Sequence, residues 1–387
     1  MSFKELSIMS DKKGTVLFYP YIPKGSLKIL KQRLSTRWIG QGPMVDKFEK
    51  KFSKIFLNGN DCVSTGSGTD ALHLAYILAG IKKNDEVIAP VFTCTATNIP
   101  LLYIGAKIKF VDVDPQTMNL DMNDLRKKIS KKTKAIVCVH YGGIPCNMSE
   151  INNIAKKYKV KVIEDAAQAL GGKYNNKKIG TISDFTVFSF QAIKHITTGD
   201  GGMLCMKDKR LLQKAKRIRW FGIDRRQKQL GIWGNDIKEI GYKYQLTDLG
   251  ASVGYQSLND FKKIISHRLK IYNIYLKYLS KNPNLKCIHD YDPKKKCAAW
   301  LFTILTNKKD YLQKKLRENN IETNQVHFRN DKYSIFKQFV KKQKFKNMDS
   351  IENKYLVLPI HTKVTVKDAN NICKLIIIKN TFQVLFR

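Results

Sequence analysis

The sequence predicts an α/β protein built on a largely parallel sheet. Between about residues 60 and 206, short apolar runs such as DEVIAPVF, KAIVCVH and VKVIEDAA alternate with amphipathic runs such as TDALHLAYILAG and MSEINNIAKKY. Alternating strands and helices are typical of parallel sheets covered on both faces, and ligands gather at the carboxyl ends of such strands. We therefore expect a functional site at that edge of the sheet.

Each run is assigned from its period and composition. Runs rich in β-branched and aromatic residues predict strands, in chain order DEVIAPVF, AKIKFVDVD, KAIVCVH, VKVIEDAA, FTVFSF and GGMLCM. Runs with apolar residues at helical spacing predict helices, in chain order TDALHLAYILAG, NLDMNDLRKKI and MSEINNIAKKY. After GYKYQLTDLG the pattern changes to long helical stretches over about 247–280 and then to a mixed segment. We therefore predict a large domain, 1–254, with an N-terminal arm, and a smaller C-terminal domain, 255–387.

Composition narrows the class of protein. The 387 residues are 43% hydrophobic and 10% aromatic, which is ordinary for a globular chain with a substantial core. The start, MSFKELSIMSDKKG, lacks the apolar segment of a signal peptide, and no apolar run reaches about 18 residues. The eight cysteines have no paired spacing, which favours free buried thiols over disulfides or a metal cluster. We expect a cytoplasmic protein without metal or membrane contact.

The formal net charge of +38 raises a different possibility, a protein that binds nucleic acid or another anion without catalysis. The lysines are spread along the chain in small clusters among Asn and Ile, without an arginine-rich tract. A general Lys/Asn/Ile bias explains this distribution more simply. We expect no specific nucleic-acid partner, and the non-catalytic binding protein remains the alternative from another class.

The segment STGSGTDALHLA, residues 64–75, predicts a phosphate site. Ser67, Gly68 and Thr69 lie between a strand end and an apolar helix. Small residues let the backbone approach a ligand, and the free amides and dipole of a helix N-terminus favour an anion. The alternative is an ordinary helix start capped by Thr69.

Two further features follow strand ends. In VIEDAAQALGG, Asp165 could reach into a site and keep a heteroaromatic nitrogen protonated, although Glu164 and Asp165 could also be turn or cap residues. In FSFQAIKHITTGDGG, Lys194 lies beside apolar and glycine-rich backbone that disfavours its charged form, although most lone lysines are solvated. A phosphate site, a carboxylate and an amine in this order are what pyridoxal 5′-phosphate requires.

With these segments in view, the chain resembles the DegT/DnrJ/EryC1/StrS aminotransferases. The matching segments, in order, are RWIGQGPMVDKFE, SGTDALHLA, APVFTCTATNIPLLYIGAKIKFVDVD, IEDAAQALGG, SFQAIKHITTGDGG, RIRWFGIDR, GYKYQLTDLGASVGYQSL and LPIHTKVT. The resemblance implies fold type I, the aspartate aminotransferase-like architecture, with a smaller C-terminal α+β domain. It also implies a homodimer with shared active sites, pyridoxal or pyridoxamine phosphate as cofactor, L-glutamate as donor and a nucleotide-linked keto sugar as acceptor.

The resemblance also implies roles for individual residues. Lys194 would bind the cofactor aldehyde and Asp165 the pyridine nitrogen. The remaining cofactor contacts would come from Gln168 near the ring hydroxyl, from Gly68, Thr69 and Ser189 at the phosphate, and from Lys243 of the neighbouring subunit, also at the phosphate.

Three positions depart from the family pattern. Cys94 stands where relatives have an aromatic residue stacked on the pyridine ring, so either Phe92 substitutes for that residue or the stacking is lost. Lys243 stands where many relatives have Asn. Gln168 replaces a His found in a subgroup that includes sugar dehydratases, which also replace the catalytic lysine by His. Because His195 directly follows Lys194, a nucleotide-sugar 3-dehydratase is the alternative enzyme, but counting from both flanking motifs places Lys194 at the catalytic position.

A nucleotide-sugar acceptor carries an anionic diphosphate, so we expect basic residues to bind it. Arg225 in WFGIDRR and Arg329 in VHFRNDKY are the substrate-binding candidates, with an exposed solubilising role as the alternative. His327 and His361 lie in segments similar to the family, and either could be a structural histidine. By family frequency we expect an NDP-4-keto-6-deoxyhexose, aminated at C4 for glycan or polysaccharide synthesis.

Overall fold

A seven-stranded sheet forms the centre of the computed structural model, which describes residues 14–234, 236–340 and 343–377. The strands are, in chain order, β1 (Cys62–Thr65), β2 (Glu86–Pro90), β3 (Phe92–Thr93), β4 (Lys107–Val111), β5 (Thr133–Val139), β6 (Lys161–Asp165), β7 (Lys173–Tyr174), β8 (Lys177–Lys178), β9 (Phe185–Ser189), β10 (Gly202–Met206), β11 (Lys286–Cys287), β12 (Lys295–Lys296), β13 (Phe302–Leu305), β14 (Phe328–Arg329) and β15 (Tyr355–Leu358).

Helices surround the sheets. They are, in chain order, α1 (Ser26–Leu34), α2 (Pro43–Phe56), α3 (Gly68–Leu78), α4 (Thr95–Ile104), α5 (Met122–Lys128), α6 (Met148–Tyr158), α7 (Leu212–Ile218), α8 (Arg225–Gln229), α9 (Asp248–Asn259), α10 (Phe261–Leu279), α11 (Lys309–Glu318), α12 (Lys337–Val340), α13 (Lys346–Ile351) and α14 (Val366–Ile377). Short 3₁₀ turns lie at Tyr141–Gly143, Lys209–Leu211, Asn330–Lys332 and Ser334–Phe336.

The central sheet has the order β1-β10-β9-β6-β5-β2-β4. Strand β10 is antiparallel to β1 and to β9, and the other neighbouring pairs are parallel. The predicted, largely parallel sheet is therefore confirmed. The short strands are continuous apolar runs because helices cover both of their faces. Asp165 ends β6 and Ser189 ends β9, so two of the site residues reach the same edge of adjacent strands.

A buried carboxylate joins two helices that are far apart in sequence. Oδ1 of Asp248, the first residue of α9, accepts from the amides of Gly42 at 2.8 Å and Val45 at 3.0 Å, and Oδ2 accepts from Met44 at 3.1 Å. These amides lie at the start of α2, where backbone N–H groups lack the carbonyl partner four residues earlier that the rest of a helix provides. The negative charge at the helix N-terminus also complements the helix dipole. Asp248 therefore fixes α2 against α9 beside the loop that follows α1.

Helix α10 packs on two hydrophobic cores, that of the large sheet and that of a separate three-stranded sheet. Phe261 and Ile264 pack in the core of the large sheet, whereas Ile271 and Tyr275, farther along the helix, pack on the three-stranded sheet β11-β13-β15. The boundary predicted at residue 255 falls inside α9, which packs on the large side. Helical periodicity alone does not show which core each turn of a helix faces, and the packing passes from one core to the other farther along the chain, within α10.

Residues after α11 return to the large core. Phe336 and Phe345 lie edge-on to Phe110 of β4, with ring centroids 5.8 and 6.5 Å away. Strand β14 pairs with β3, so Arg329 lies opposite Phe92. Part of the segment predicted as the smaller domain, 255–387, therefore packs on the hydrophobic core of the large sheet.

The N-terminal arm binds to the smaller unit of the structure, which is built around the sheet β11-β13-β15. The amide of Thr15 donates to the carbonyl of Asn320, and the carbonyl of Thr15 accepts from the amide of Glu322, both at 2.9 Å. Nε2 of His361 donates to the carbonyl of Val16 at 2.8 Å. His361 therefore has a structural role, in line with the alternative left open for it.

Within the described residues, no helix is long and apolar enough to cross a bilayer. The same residues contain no cluster of three or more His, Cys, Asp or Glu side chains placed to hold a metal ion. All eight cysteines are free thiols, and Cys94 is the exposed one.

Candidate active site

Lys194 lies in a tight loop that follows β9. Its amide donates to the carbonyl of Gln191 at 2.9 Å, and the loop is closed by Thr198, whose amide donates to the carbonyl of Phe190 at 3.0 Å. The ammonium nitrogen Nζ lies 3.8 Å from the ring centroid of Trp300, a residue that the sequence reading missed. Trp300 lies in the apolar run AAWLF, where its type and position resemble those of any core residue.

The environment of Lys194 favours a free amine. Burial lowers the pKa of Lys194 to about 8, and the positive charge of Arg268 acts in the same direction. The neighbouring Cys94 and Asp165 oppose this effect because a negative charge stabilises the ammonium form. A lysine with this pKa is partly deprotonated near neutral pH and can attack a carbonyl.

Asp165 is held by two hydrogen bonds. Its side chain is 5% exposed. Oδ2 accepts from the hydroxyl of Thr97 at 2.7 Å, and Oδ1 accepts from the amide of Ala167 at 3.1 Å. Thr97 in turn contacts the hydroxyl of Thr93 at 2.8 Å. The carboxylate is therefore fixed in direction and is close enough to Lys194 to raise that lysine's pKa.

Glu164, the other member of the acidic pair, points to the opposite face of β6. Its side chain is fully buried, where Oε2 lies 2.9 Å from Nε2 of His140 and Oε1 accepts from the hydroxyl of Thr186 at 3.0 Å. Successive side chains of a strand alternate between faces, so only one of the two acids can reach the site. The structure assigns that place to Asp165.

The start of α3 lies against the end of β9. A Cβ atom added at Gly68 would lie 3.0 Å from Cβ of Ser189, which is tighter than ordinary packing. The cap of the helix is Ser67, whose hydroxyl accepts from the amide of Asp70 at 3.0 Å, so the alternative with Thr69 as cap is wrong. Ser67 takes the cap because its backbone is extended, whereas Thr69 is already helical.

This packing leaves an open anion site. In the described part of the chain, the amides of Gly68 and Thr69 donate to no protein acceptor. Both residues are half-buried, as is Ser189. Backbone amides at the start of an 11-residue helix, next to a serine hydroxyl, form a seat suited to a phosphate.

Gln168 joins the site to the smaller unit. Its Oε1 accepts from the amide of Gly142 at 2.7 Å, and its Nε2 donates to Nε2 of His327 at 3.0 Å. His327 accepts as a neutral ring, because burial and the nearby Lys194 lower its pKa to about 3. Its backbone φ is +73°, a left-handed conformation that costs energy for a residue with a Cβ. The sequence offered His327 without choosing between a functional and a structural role.

Cys94 and Phe92 differ in access to the site. Cys94 is exposed as the cap residue of α4 and is close enough to Lys194 to affect its pKa. Phe92 is 1% exposed and lies in the core, with ring centroids 5.5 Å from Tyr141 and 5.3 Å from Tyr355. Phe92 is therefore not available as the substitute for a stacking aromatic residue, because its ring is already packed on the core side.

His195 points away from Lys194. It is 1% exposed, and its Nε2 donates to the carbonyl of Ala298 at 2.7 Å. Burial and the charge of Arg268 lower the pKa of His195 to about 3. The residue that reaches Asp165 and Cys94 is Lys194, which agrees with the count from the flanking motifs.

Lys243 lies on the outside of the chain. Its exposed ammonium is 5.2 Å from the ring centroid of Phe221 and 5.9 Å from that of Trp220. In the described contacts it makes no hydrogen bond to Gly68 or Ser189. The single chain therefore does not bring Lys243 to the phosphate seat.

Arg225 lines a basic cavity of about 550 Å³. Nη2 of Arg225 donates to the carbonyl of Gln41 at 2.5 Å, and its guanidinium lies 5.0 Å from the ring centroid of Trp220. Oε1 of Gln41 and Nε1 of Trp220 are buried without a hydrogen-bond partner in the described structure. The basic residues that line the cavity are Arg37, Lys216, Arg217, Arg219, Arg225 and Arg226.

Arg329, the other substrate-binding candidate, is occupied by carboxylates. It is 3% exposed and pairs in two places with Asp331, at 2.8 Å each. Its Nη1 contacts Asp349 at 2.5 Å and Glu352 at 2.9 Å. Burial lowers the pKa of Arg329, but these partners raise it well above its usual value. The contacts favour a structural role over the expected contact with substrate.

Comparison with known proteins settles the family. The profile of the DegT/DnrJ/EryC1/StrS aminotransferase family matches residues 20–377. The chain belongs to this family. It is 33% identical over 356 residues to the UDP-4-amino-4,6-dideoxy-N-acetyl-beta-L-altrosamine transaminase of Campylobacter jejuni, which covers 90% of this chain and 93% of that protein.

Two further likenesses support the assignment. The chain is 34% identical over 316 residues to the GDP-perosamine synthase of Escherichia coli O157:H7, which covers 81% of this chain and 84% of that protein. The crystal structure of AtS13 from Actinomadura melliaura matches with a TM-score of 0.90 at 30% identity, over 95% of this chain and 99% of that one. The predicted fold type I architecture is confirmed.

The site fits pyridoxal phosphate, the cofactor of this family. The cofactor needs an amine, a carboxylate partner for its ring nitrogen and a seat for its phosphate. The structure offers Lys194 with a lowered pKa, the buried and fixed Asp165, and the open helix start beside Ser189. These three features surround one edge of the sheet.

Proposed function

We propose that this protein transfers the amino group of L-glutamate to a nucleotide-linked 4-keto-6-deoxy sugar. The observation that carries the proposal is the meeting of Lys194, Asp165 and the start of α3 at one sheet edge. Family membership supports the reaction type, and the names of the two similar bacterial enzymes support the class of acceptor. The choice of glutamate and of C4 rests on analogy with the family.

The proposed roles follow from the contacts. Lys194 binds the aldehyde of the cofactor, and the seat formed by Gly68, Thr69 and Ser189 holds its phosphate. Asp165, fixed by Thr97, keeps a proton on the ring nitrogen. When bound, pyridoxal phosphate supplies a carbonyl for the donor's amino group and an electron-poor ring that accepts the charge left at the donor's α-carbon.

Lys194 has a second task as the proton carrier. Once the amino group of the donor had taken its place, the free Nζ would accept the proton from the α-carbon of the donor and later release it. A water molecule would release the carbon skeleton of glutamate as its 2-oxo acid, and its amino group would stay behind for the keto sugar, whose carbonyl oxygen would leave as water. The same Nζ would carry the proton in reverse in that second half. The lowered pKa of Lys194 suits this task because the amine must both accept and release a proton near neutral pH.

The basic cavity beside Arg225 is the proposed place for the acceptor's diphosphate. Guanidinium groups recognise phosphates through paired hydrogen bonds, and the unpartnered polar atoms of Gln41 and Trp220 could bind a polar ligand. Asp46 and Asp224 are the acidic residues of the lining, so positive charge dominates.

We further propose a homodimer with shared sites. Leu230, Trp233 and Ile240 expose 72%, 74% and 80% of their surface, which is unusual for large apolar side chains in one short segment. A second copy packed on this segment would bury them and would bring Lys243 toward the neighbouring phosphate seat.

A spectrum followed by product analysis tests the function. Purified protein with added cofactor should absorb at the visible edge, and L-glutamate should shift the band to shorter wavelength. Addition of a UDP- or GDP-linked 4-keto-6-deoxyhexose should then restore the band and give an amino sugar by mass spectrometry. A deoxy-keto product without nitrogen would support the dehydratase instead, and absence of any band would refute the cofactor assignment.

A further inference from the structure

Trp300 connects the catalytic loop to the smaller unit. It lies just before β13 and is 1% exposed. Its indole Nε1 donates to the carbonyl of Ile193 at 3.1 Å, next to Lys194. Its backbone amide donates to the carbonyl of Gly142 at 3.0 Å, in the turn that Gln168 also binds. One side chain therefore contacts the loop of the lysine and shares a turn with a proposed cofactor ligand.

Two other rings hold the indole in place. The ring of Phe18, from the N-terminal arm, lies 5.7 Å from that of Trp300 with 22° between the planes. The ring of His327 lies 6.3 Å away with 19° between the planes. His327 is itself fixed, because Gln168 donates to its ring and the hydroxyl of Tyr355 donates to its carbonyl at 2.7 Å. The indole therefore cannot turn without displacing these neighbours.

The face of this indole is the partner of the lysine. Nζ of Lys194 lies 3.8 Å from the ring centroid, and among the described residues it makes no hydrogen bond and no ion pair. A cation within about 6 Å of an indole centroid is attracted by the ring, and tryptophan is the strongest of the aromatic partners. The contact therefore determines where the amine rests when nothing else binds it.

We propose that Trp300 is a positioning residue that holds the amine of Lys194 in place whenever it is not bound to the cofactor. This inference rests on the proposed function, in which the donor displaces Lys194 and the lysine must later return. A free lysine side chain has many rotamers, so an unrestrained amine would spend only a small fraction of the time near the reacting carbon. The indole face restricts the rotamers of Lys194. Because the contact is weak, the amine can leave it without breaking a strong bond.

The contact with the indole also affects the pKa of Lys194. The ring face attracts the ammonium form, so it raises the pKa of Lys194 against the lowering effect of burial. Removal of the ring should therefore lower the pKa of Lys194. For a partly buried contact we expect a shift of about one unit, which is a tenfold change in the ionisation equilibrium of the amine.

The first test measures cofactor uptake by the cofactor-free, full-length protein across pH. Uptake requires the free amine, so its rate should rise with pH through the pKa of Lys194. In Trp300→Leu the midpoint should fall by about one unit and the plateau rate by about tenfold. Trp300→Phe, which keeps a ring face, should lie between that variant and the natural protein.

A matched control separates positioning from general loss of packing. Phe302 lies two residues farther along, is fully buried, and packs on Tyr272 and Tyr275 with centroids 4.9 and 5.1 Å away. Phe302→Leu should lose stability while keeping the midpoint and plateau of uptake. If Trp300→Leu behaves like Phe302→Leu, the inference is wrong.

The second test needs no cofactor. The emission that Trp300 contributes, taken as the difference between the natural protein and Trp300→Phe, should change with pH as Lys194 titrates, and Lys194→Met should abolish the change. If the fluorescence contributed by Trp300 does not change with pH, the inference is wrong, and this result does not depend on whether Trp300→Leu folds. A natural protein that shows this titration but takes up no pyridoxal phosphate would instead contradict the proposed function and leave the contact intact.

Discussion

The hydroxyl of Thr97 donates to Oδ2 of Asp165 across 2.7 Å, in a region buried from solvent. Thr97 belongs to the first turn of α4, and Asp165 ends β6, so a helix start fixes the direction of a carboxylate on a different strand. This relationship makes Thr97 a support for the proposed partner of the ring nitrogen.

Replacement of Asp165 by Asn should leave the fold and cofactor uptake intact but lower turnover at least about a hundredfold, because a neutral amide does not stabilise a protonated ring nitrogen. Thr97→Val should lower turnover about tenfold, the cost of one hydrogen bond to a charged group. Steady-state rates with glutamate measure both. An Asp165→Asn enzyme with natural turnover would remove the residue from the mechanism.

Lys194 and His195 should respond in opposite ways. Lys194→Ala should lose the visible absorbance of the bound cofactor and all measurable transfer, because no other amine lies beside Asp165 in the described site. His195→Asn should keep the absorbance, since its ring contacts the carbonyl of Ala298 and points away from the site. Spectra of the two purified variants suffice, and the reverse pattern would favour the dehydratase alignment.

Cofactor uptake should depend on pH through Lys194. Burial lowers the pKa of this group to about 8, so the charged form predominates below that pH and cannot attack an aldehyde. The rate of uptake should therefore rise as the pH increases and level off above about 9, one unit beyond the pKa. Stopped-flow absorbance from pH 6 to 10 measures the profile, in which a flat or falling curve would contradict the assignment.

Arg225 should matter for the acceptor and not for the donor. Arg225→Ala should raise KM for the nucleotide sugar about tenfold or more, the usual loss when a charged hydrogen bond to phosphate is removed. The half-reaction with glutamate should be unchanged. Arg210→Ala, which removes an exposed arginine outside the cavity, is the control. Equal effects on both substrates would argue against a diphosphate contact.

Arg329 should be needed for stability. Arg329→Ala removes a buried cation from Asp331, Asp349 and Glu352, but Asp349 is 52% exposed and Glu352 also contacts Lys332. We therefore expect a loss of about 3 kcal/mol, the lower end of the range for a broken buried ion pair. Urea unfolding should show the loss as a lower midpoint, whereas Arg210→Ala should leave the midpoint unchanged because its ion pair is exposed. A natural midpoint combined with a raised KM for the sugar would restore the substrate-binding role.

Much of the sheet and part of the site could be predicted from the sequence. Period and strand-end motifs depend on local residues, which is why β6, β9 and the positions of Asp165 and Lys194 could be assigned. Trp300 and Thr97 could not, because their contacts join segments about 70 to 100 residues apart and depend on packing. The ion pairs of Arg329 could not be predicted for a related reason, since two of its partners, Asp349 and Glu352, come from the region around α13.

The sequence does not show where packing passes from the core of the large sheet to that of the small one. Helix α10 has apolar residues on one stripe throughout, but its first turns pack on the large sheet and its later turns on the small one. A continuous stripe gives the same signal whether one core or two lie beneath it.

The attachment of Thr15 and Val16 beside Ile321 and His361 has a consequence for biosynthesis. Thr15 and Val16 are synthesised early, whereas their partners around Ile321 and at His361 follow about 300 and 345 residues later in the chain. During synthesis the backbone groups of Thr15 and Val16 therefore remain without these partners until residues 320–361 have been made. A nascent chain that stops before residue 361 lacks the ring that donates to the carbonyl of Val16, so the arm docks in two steps, first at residues 320–322 and then at His361.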